Sequence, residues 1–219
     1  MNRLLFEKTG KAVYISHLDT MALFPRVFLR AGLHVKFTQG MSPHAYVSIA
    51  LPLSVGMHSG CEILDFTLEE ENVSLESLPE RLNPFFPAGI RVLSAYDSPR
   101  KIKDLRYLQA EVTLEYDGGV PAGAVERIGA LFRQENLFVE KKTKKGMAET
   151  DIHPMIETLS VGQTSDRELV LSGLICAQNP SLNPGLLVKA VERHLPDLTP
   201  DFSWARRIEV YDGDHRVFR

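Results

Sequence analysis

The chain has 219 residues, of which 44% are hydrophobic and 24% charged, a composition typical of a globular protein with one large or two small cores. Its net charge of −3 disfavours a strongly basic nucleic-acid binder, although a local basic patch is compatible with it. No stretch approaches the roughly 20 apolar residues that cross a bilayer, and the first residues have no signal-peptide pattern. We therefore expect a cytoplasmic protein without a membrane partner.

Hydrophobic periodicity predicts strands and helices from the first residues to Tyr96, and the polar linker 97–101 follows. The predicted elements are, in order, a strand at Leu4–Glu7, a helix that starts after Ser16 and stops at Ala31-Gly32, a strand at Val35–Phe37, an apolar run from Tyr46 to Leu53, a strand at Glu62–Leu68, a helix over Leu75–Phe85 and a strand at Ile90–Tyr96.

Residues 107–219 repeat this order of elements. From Leu108 to Tyr116 apolar and polar residues alternate, which is typical of a strand with one buried and one solvated face. The remaining predicted elements are a helix over Val125–Phe132, strands at Leu137–Glu140, Ile152–Val161 and Leu169–Ala177, a helix that Asn183 caps and Pro184 opens, and a strand at Arg206–Tyr211.

Each half thus has the order strand, helix, strand, strand, helix, strand, apart from one extra strand. That is the order of a ferredoxin-like split βαβ unit. We predict an α+β protein of two tandem ferredoxin-like domains with antiparallel sheets, residues 1–98 and 107–219. Tandem ferredoxin-like domains occur in RNA-processing proteins, such as CRISPR repeat-processing endoribonucleases and pseudouridine synthases, but one fold hosts many functions.

The first cluster of candidate site residues lies where the first helix begins. Ser16 is a predicted N-cap, and Asp19, three residues later, places a negative charge at the positive end of the helix. Asp19, Arg26 and Arg30 are spaced by seven and four residues, so they share one polar face. Capping alone explains Ser16 and Asp19, whereas it gives no role to His17.

The second cluster is the polar loop that follows the strand at Val35–Phe37. Its candidate residues include the glycine, serine and proline that are common in ordinary turns. They are Gln39, Gly40, Ser42, Pro43 and His44. Glycine lets a backbone approach closely, and proline stiffens the entry to the next strand. Both properties suit a binding loop, although a structural turn uses the same residues.

Both clusters adjoin strands that are expected to be neighbours in a ferredoxin-like sheet. We therefore predict that the loops lie side by side and line one pocket or groove. The candidates for acid–base catalysis there are His17, Asp19 and His44. Their spacing has no metal-binding signature, so no metal is expected.

The same stretches carry a resemblance to a known family. The motifs are KTG at Lys8–Gly10, YISHLD at Tyr14–Asp19, RAGL at Arg30–Leu33, QGMSPH at Gln39–His44 and ALPLSVG at Ala50–Gly56. Together they resemble the radical-SAM-linked protein family, a bacterial domain of unknown function found beside or fused behind a radical SAM protein. The resemblance covers residues 3 to 68 closely. The sequence departs from the family pattern at Phe24-Pro25 and at Met41.

The resemblance implies a radical SAM partner, and the cysteines indicate which chain holds the cluster. An iron–sulfur cluster needs several thiolate ligands, whereas this chain has only Cys61 and Cys176, which lie far apart. We therefore expect this chain to bind no cofactor, and the iron–sulfur cluster and SAM to belong to the partner.

One strong basic run, Lys141, Lys142, Lys144 and Lys145, lies between two predicted strands of the second half. We predict an exposed loop there. Such a run is usually a solvated loop, but closely spaced lysines can also neutralise a nucleic-acid backbone.

Two functions are compatible with these features. The first is an accessory or substrate-recognition module that works with a radical SAM partner, with RNA as the expected substrate. The alternative is a small enzyme that acts on RNA or a nucleotide and uses His17 or His44 as an acid–base residue. The chain has no phosphate-loop, dinucleotide-binding or nucleophile-elbow motif, which disfavours a self-contained nucleotide-dependent or hydrolytic enzyme.

Overall fold

A computed structural model describes residues 1–143 and 146–219. It divides the chain into two compact units, Met1–Asp104 together with Arg219, and Leu105–Phe218. The described residues contain four α-helices and mostly antiparallel strands. The predicted α+β class is therefore confirmed.

The first unit consists of four strands and two α-helices. These are β1 (Asn2–Lys8), α1 (His17–Arg30), β2 (Val47–Ile49), β3 (His58–Phe66), α2 (Leu78–Leu82) and β4 (Ile90–Asp97), with 3₁₀ turns at Gly10–Tyr14, Leu75–Ser77, Asn83–Phe85 and Ile102–Asp104. The strand order within the unit is β4-β1-β3-β2, and every neighbouring pair is antiparallel.

Aromatic side chains fill the core between α1 and this sheet. The ring of Phe24 meets those of Phe6 and Phe86 edge-on, with centroids 4.9 and 5.1 Å away, and Phe28 lies 5.0 Å from Phe66. The four rings of Phe6, Phe24, Phe28 and Phe66 are fully buried. Burial of such large apolar surfaces holds α1 on the sheet, and the helix continues across Pro25.

The unit also buries an ion pair. Arg3 on β1 is fully buried and contacts Asp65 on β3 through two bonds, Nε to Oδ1 at 2.6 Å and Nη2 to Oδ2 at 3.2 Å. Its remaining nitrogen donates to Oγ of Ser98 at 3.0 Å, and Nη2 also donates to the carbonyl of Arg100 at 2.9 Å. These bonds join the two central strands to the segment that follows β4.

The second unit has a four-stranded sheet with the same order of equivalent elements. Its elements are β5 (Leu105–Glu115), α3 (Ala124–Phe132), β6 (Phe138–Thr143), β7 (Gly146–Asp151), β8 (Ile156–Ser165), β9 (Glu168–Cys176), α4 (Gly185–His194) and β10 (Phe202–Asp212), with 3₁₀ turns at His153–Met155 and Pro196–Leu198. The strand order is β10-β5-β9-β8, again antiparallel throughout, while β6 and β7 pair only with each other among the described strands.

Several local predictions differ from the structure, and two of them concern candidate site segments. Instead of a strand at Val35–Phe37, the structure has isolated bridges from Val35 to Leu68 and from Phe37 to Ala45, because this segment contacts two different partners at neighbouring positions. The basic run is not wholly a loop, since Lys141 to Thr143 belong to β6 and pair with Gly146 to Ala148. Lysines are common on short exposed strands, where they discourage pairing with other chains.

Candidate functional site

The first cluster of candidate residues forms a complete helix cap. The Asp19 backbone N–H donates to Oγ of Ser16 at 3.1 Å, and that hydroxyl donates to Oδ2 of Asp19 at 2.6 Å. Thr20 Oγ1 donates to the carbonyl of Ser16 at 2.8 Å. The predicted N-cap is confirmed, and such a cap contributes about 1 kcal/mol to helix stability. Ser16 and Asp19 therefore have a structural role.

His17 differs from its neighbours in the cap. It is the first residue of α1, and its side chain is half-buried. Within residues 1–143 and 146–219 its imidazole makes no hydrogen bond or ion pair. The structure thus gives no partner that would orient His17 as a base.

The second cluster is a closed loop fastened by Thr38 and His44. The backbone N–H of Thr38 donates to the carbonyl of His44 at 2.8 Å, and the N–H of His44 donates to Oγ1 of Thr38 at 3.1 Å. Nδ1 of His44 lies 3.0 Å from the same hydroxyl and 3.3 Å from the carbonyl of Ser42. His44 therefore holds the two ends of the loop together.

The tip of this loop is exposed. Gln39, Gly40, Ser42 and Pro43 all face solvent, and Met41 has the most exposed large apolar side chain of the described residues. In the described part of the chain no hydrogen bond joins this loop to Ser16, His17 or Asp19. That the two loops line one groove therefore stays a prediction.

A groove that the sequence does not predict lies beside α1. Its volume is about 240 Å³, and we call it the α1 groove. Its lining is mostly apolar and consists of Pro25, Arg26, Leu29, Leu33, His34, Val35, Phe37 and Glu69. Leu29 and Phe37 are 62% and 59% exposed, although side chains of their size are usually buried. The sequence gives no signal of this groove, because the apolar pattern of the helix predicts that Leu29 is buried.

His34, which lines the α1 groove, is hydrogen-bonded to Glu70. Nδ1 of His34 lies 2.7 Å from Oε1 of Glu70, and the backbone N–H of His34 donates to both carboxylate oxygens at 3.1 and 3.2 Å. The hydrogen bond from the His34 ring lowers the pKa of Glu70 below its usual value. The carboxylate thus fixes the segment that carries Val35 and Phe37.

The basic run is described only in part. Nζ of Lys141 donates to the carbonyl of Ser181 at 2.9 Å, so this lysine is anchored within its own unit. The backbone of Lys142 lies in β6, while Lys144 and Lys145 lie outside the described residues. A phosphate-binding role of these four lysines stays a prediction.

Neither a metal cluster nor a membrane helix is found in residues 1–143 and 146–219. No three histidine, cysteine, aspartate or glutamate side chains are placed to hold a metal ion there. No helix in this part of the chain is both long and apolar enough to cross a membrane. Cys61 and Cys176 are free thiols, and burial raises the pKa of Cys176.

Comparison with protein families assigns the chain to a class of bacterial proteins. A family model described as an uncharacterized protein conserved in bacteria, DUF2344, matches residues 2–184. The chain belongs to this family. The match includes every motif on which the resemblance rests, while the description names no radical SAM protein. No curated protein matches the chain.

Solved structures give a likeness of fold. A chain in the crystal structure of a Cbf5-Nop10-Gar1 complex superposes with a TM-score of 0.52 at 9% identity, over 95% of this chain and 48% of that one. This chain therefore spans about half the length of that protein. An unknown protein from Galdieria sulphuraria aligns at 12% identity over 94% and 96% of the two chains, with a TM-score of 0.27. At 9% identity the first likeness concerns the fold alone.

Proposed function

We propose that this protein is an accessory module that binds a radical SAM partner and recognises the partner's substrate, rather than a catalyst in its own right. The observation that carries the proposal is the α1 groove with its exposed Leu29 and Phe37. The radical SAM identity of the partner rests on the resemblance of the motifs in residues 3–68.

The exposed apolar surface of the α1 groove supports the proposal that this protein binds another protein. Large apolar side chains gathered at a surface mark interaction sites, because their burial against another protein is favourable. Phe37 and Leu29 both line the α1 groove, and Arg26 and Glu69 add charged groups to the same lining. An apolar centre with a polar rim is the usual anatomy of a protein interface.

The hydrogen bonds of the candidate catalytic residues support a non-catalytic role. Ser16 and Asp19 cap α1, and His44 closes its loop. A general base is oriented by a hydrogen bond from a neighbouring group, and the imidazole of His17 has no such bond among the described residues. The alternative enzyme therefore has less support than the module.

The strand orders support a finer proposal for the fold. We propose that each unit is ferredoxin-like, since β4-β1-β3-β2 and β10-β5-β9-β8 both place the last strand beside the first and the third beside the second. In the second unit the β6-β7 hairpin would then be an insertion between the first helix and the second strand of the motif.

The first test replaces an apolar residue of the α1 groove with a charge. Phe37→Asp should weaken binding of a radical SAM protein encoded beside this chain by roughly 30-fold, the usual cost of losing an aromatic hot spot. Phe202→Asp is the matched control, because Phe202 is 58% exposed on the other unit against 59% for Phe37. Affinity is measured by calorimetry with the full chain.

Three outcomes would contradict the module. The two phenylalanine variants could weaken binding equally, or the wild-type chain could fail to bind the radical SAM protein. The chain could also turn over RNA or a nucleotide alone and lose that activity in His17→Ala or His44→Ala. A complex that survives ribonuclease treatment would show that protein contacts, rather than bridging RNA, hold it together.

RNA is the substrate we propose, on the basis of the lysines at 141 to 145. Replacing Lys141 and Lys142 with alanine should lower RNA affinity and reduce the salt dependence of binding by one to two phosphate contacts, each of which contributes about 0.7 to the logarithmic slope. Lys189→Ala, at an exposed position of α4, is the control. Filter binding of single-stranded RNA at several salt concentrations provides the measurement. An unchanged slope in the double variant would contradict RNA binding at this site.

A further inference from the structure

The strand β8 lies at one end of the sheet of the second unit, and only one of its sides is paired. It pairs with β9, and among the described strands none pairs with its other side. An unpaired strand edge presents a row of N–H and C=O groups to any chain that can extend the sheet. The edge of β8 is therefore a possible contact for another strand.

This edge has little of the charge and none of the proline that usually protect a strand edge, and its two irregularities of register lie near its ends, at Ile156/Thr158 and at Gln163/Ser165. Of the ten residues Ile156–Ser165 only Glu157 is charged, and none is lysine or proline. The edge strand β4 of the first unit differs, because the side-chain amide of Asn83 bonds both the N–H and the carbonyl of Val92, at 2.8 and 3.0 Å. The chain thus occupies the edge of β4 with its own side chain and leaves β8 with a single charged residue.

A groove of about 830 Å³ lies along β8 and α3, and we call it the α3 groove. The side chains of Leu159 and Val161 lie on the side of β8 that faces this groove and are only half-buried. The α3 residues that line it are Val125, Glu126, Gly129, Phe132 and Arg133. A strand added to β8 would place alternate side chains into this space.

We propose that the occupant is a second copy of this chain, with the two β8 strands paired antiparallel about a two-fold axis through Ser160. In this register Leu159 lies opposite Val161 of the other copy, and both enter the α3 grooves. Glu157, the single charge of the strand, lies opposite Gln163. No like charges meet, so the strand is complementary to itself, as a two-fold contact requires.

The charges on α3 are complementary under the same symmetry. Glu126 lies in the first turn of α3, and Arg133 follows the last residue of that helix. Opposite charges therefore lie at the two ends of the side of α3 that lines the groove. A two-fold axis makes the two α3 helices antiparallel and brings Glu126 of each copy towards Arg133 of the other. Neither side chain forms an ion pair within the described chain. Gly129 lies between them, and the guanidinium of Arg133 extends back over it, with Nη1 3.3 Å from the place where a Cβ would stand.

Sedimentation of the full chain tests the dimer. A mass of twice 24.6 kDa that dissociates on dilution is expected. A mass of one chain at concentrations up to about 1 mM would overturn the proposal, because the dissociation constant would then exceed about 1 mM. The β8 edge would then remain available to an extended segment of a different protein.

A charge exchange tests the α3 contact. Arg133→Glu should raise the dimer dissociation constant roughly tenfold, since two symmetric ion pairs become two repulsions. The double variant Glu126→Arg/Arg133→Glu should restore the wild-type constant, because it exchanges the charges without changing their complementarity. A double variant as weak as the single one would overturn the proposal.

A cysteine at the proposed axis tests the register. Ser160→Cys should form a disulfide between two copies under oxidation, because residues that face each other on paired strands come within disulfide range. Gln163→Cys, at an exposed position of the same strand away from the axis, is the control. A dimer in which both variants cross-link equally, or neither does, would overturn pairing through β8 in this register.

Discussion

Replacing Arg3 with alanine should destabilise the first unit by about 3–5 kcal/mol, the usual cost of removing one partner of a buried ion pair. Arg3 is fully buried, and Asp65 has 7% of its surface exposed. Without the guanidinium the Asp65 carboxyl group would lose its ionic partner in a nearly buried site. Ser98 and the carbonyl of Arg100 would also lose a donor.

A double variant separates the cost of an orphaned charge from the value of the ion pair itself. Arg3→Met/Asp65→Leu replaces both ions by apolar groups of similar size, so it should be less destabilised than Arg3→Ala by more than about 1 kcal/mol. The exposed control is Arg91→Ala. Arg91 is 67% exposed with Nε 4.0 Å from Oε1 of Glu7, and its loss should cost at most about 1 kcal/mol.

Hydrogen exchange of β1 and β3 amides measures the effect within the first unit, because their protection reports its opening free energy. Equal losses of protection in Arg3→Ala and Arg91→Ala would contradict the argument. So would a double variant that is less stable than Arg3→Ala.

Elements whose pattern is periodic could be predicted from the sequence. The alternation from Leu108 to Tyr116 became β5, and the cap at Ser16 opens α1. In both cases the signal is local. Burial of one face of the strand decides the first, and a single capping hydrogen bond decides the second. The division of the chain falls between Asp104 and Leu105, within the segment that separates the two predicted domains.

Features that depend on distant partners could not be predicted in this way. The segment Val35–Phe37 has the composition of a strand, yet its pairing is divided between Leu68 and Ala45. Phe37 and Leu29 line the same groove although they belong to different segments, and no spacing in the sequence indicates that they do. Arg3 likewise has the pattern of a surface residue until Asp65 and Ser98 are placed around it.

The turn before β4 requires a glycine for two reasons, the backbone conformation and the packing around it. Gly89 has φ +92°, and its carbonyl accepts the backbone N–H of Thr9 at 2.7 Å. A Cβ at this position would lie 2.2 Å from the carbonyl oxygen of Thr9 and 2.9 Å from Cβ of Ala12. Both contacts are shorter than van der Waals distances, so the 3₁₀ turn after β1 would have to move.

Gly89→Ala should therefore destabilise the first unit by about 3 kcal/mol or more, which combines roughly 1–2 for the left-handed backbone, about 1 for the strained hydrogen bond and at least 1 for overpacking. Gly32→Ala is the matched control, because Gly32 has φ +70° and open space where a Cβ would stand. It should cost only the backbone term of about 1–2 kcal/mol. Protection of β1 and β4 amides distinguishes the two, and equal losses would mean that the contact with Thr9 adds nothing to the backbone cost.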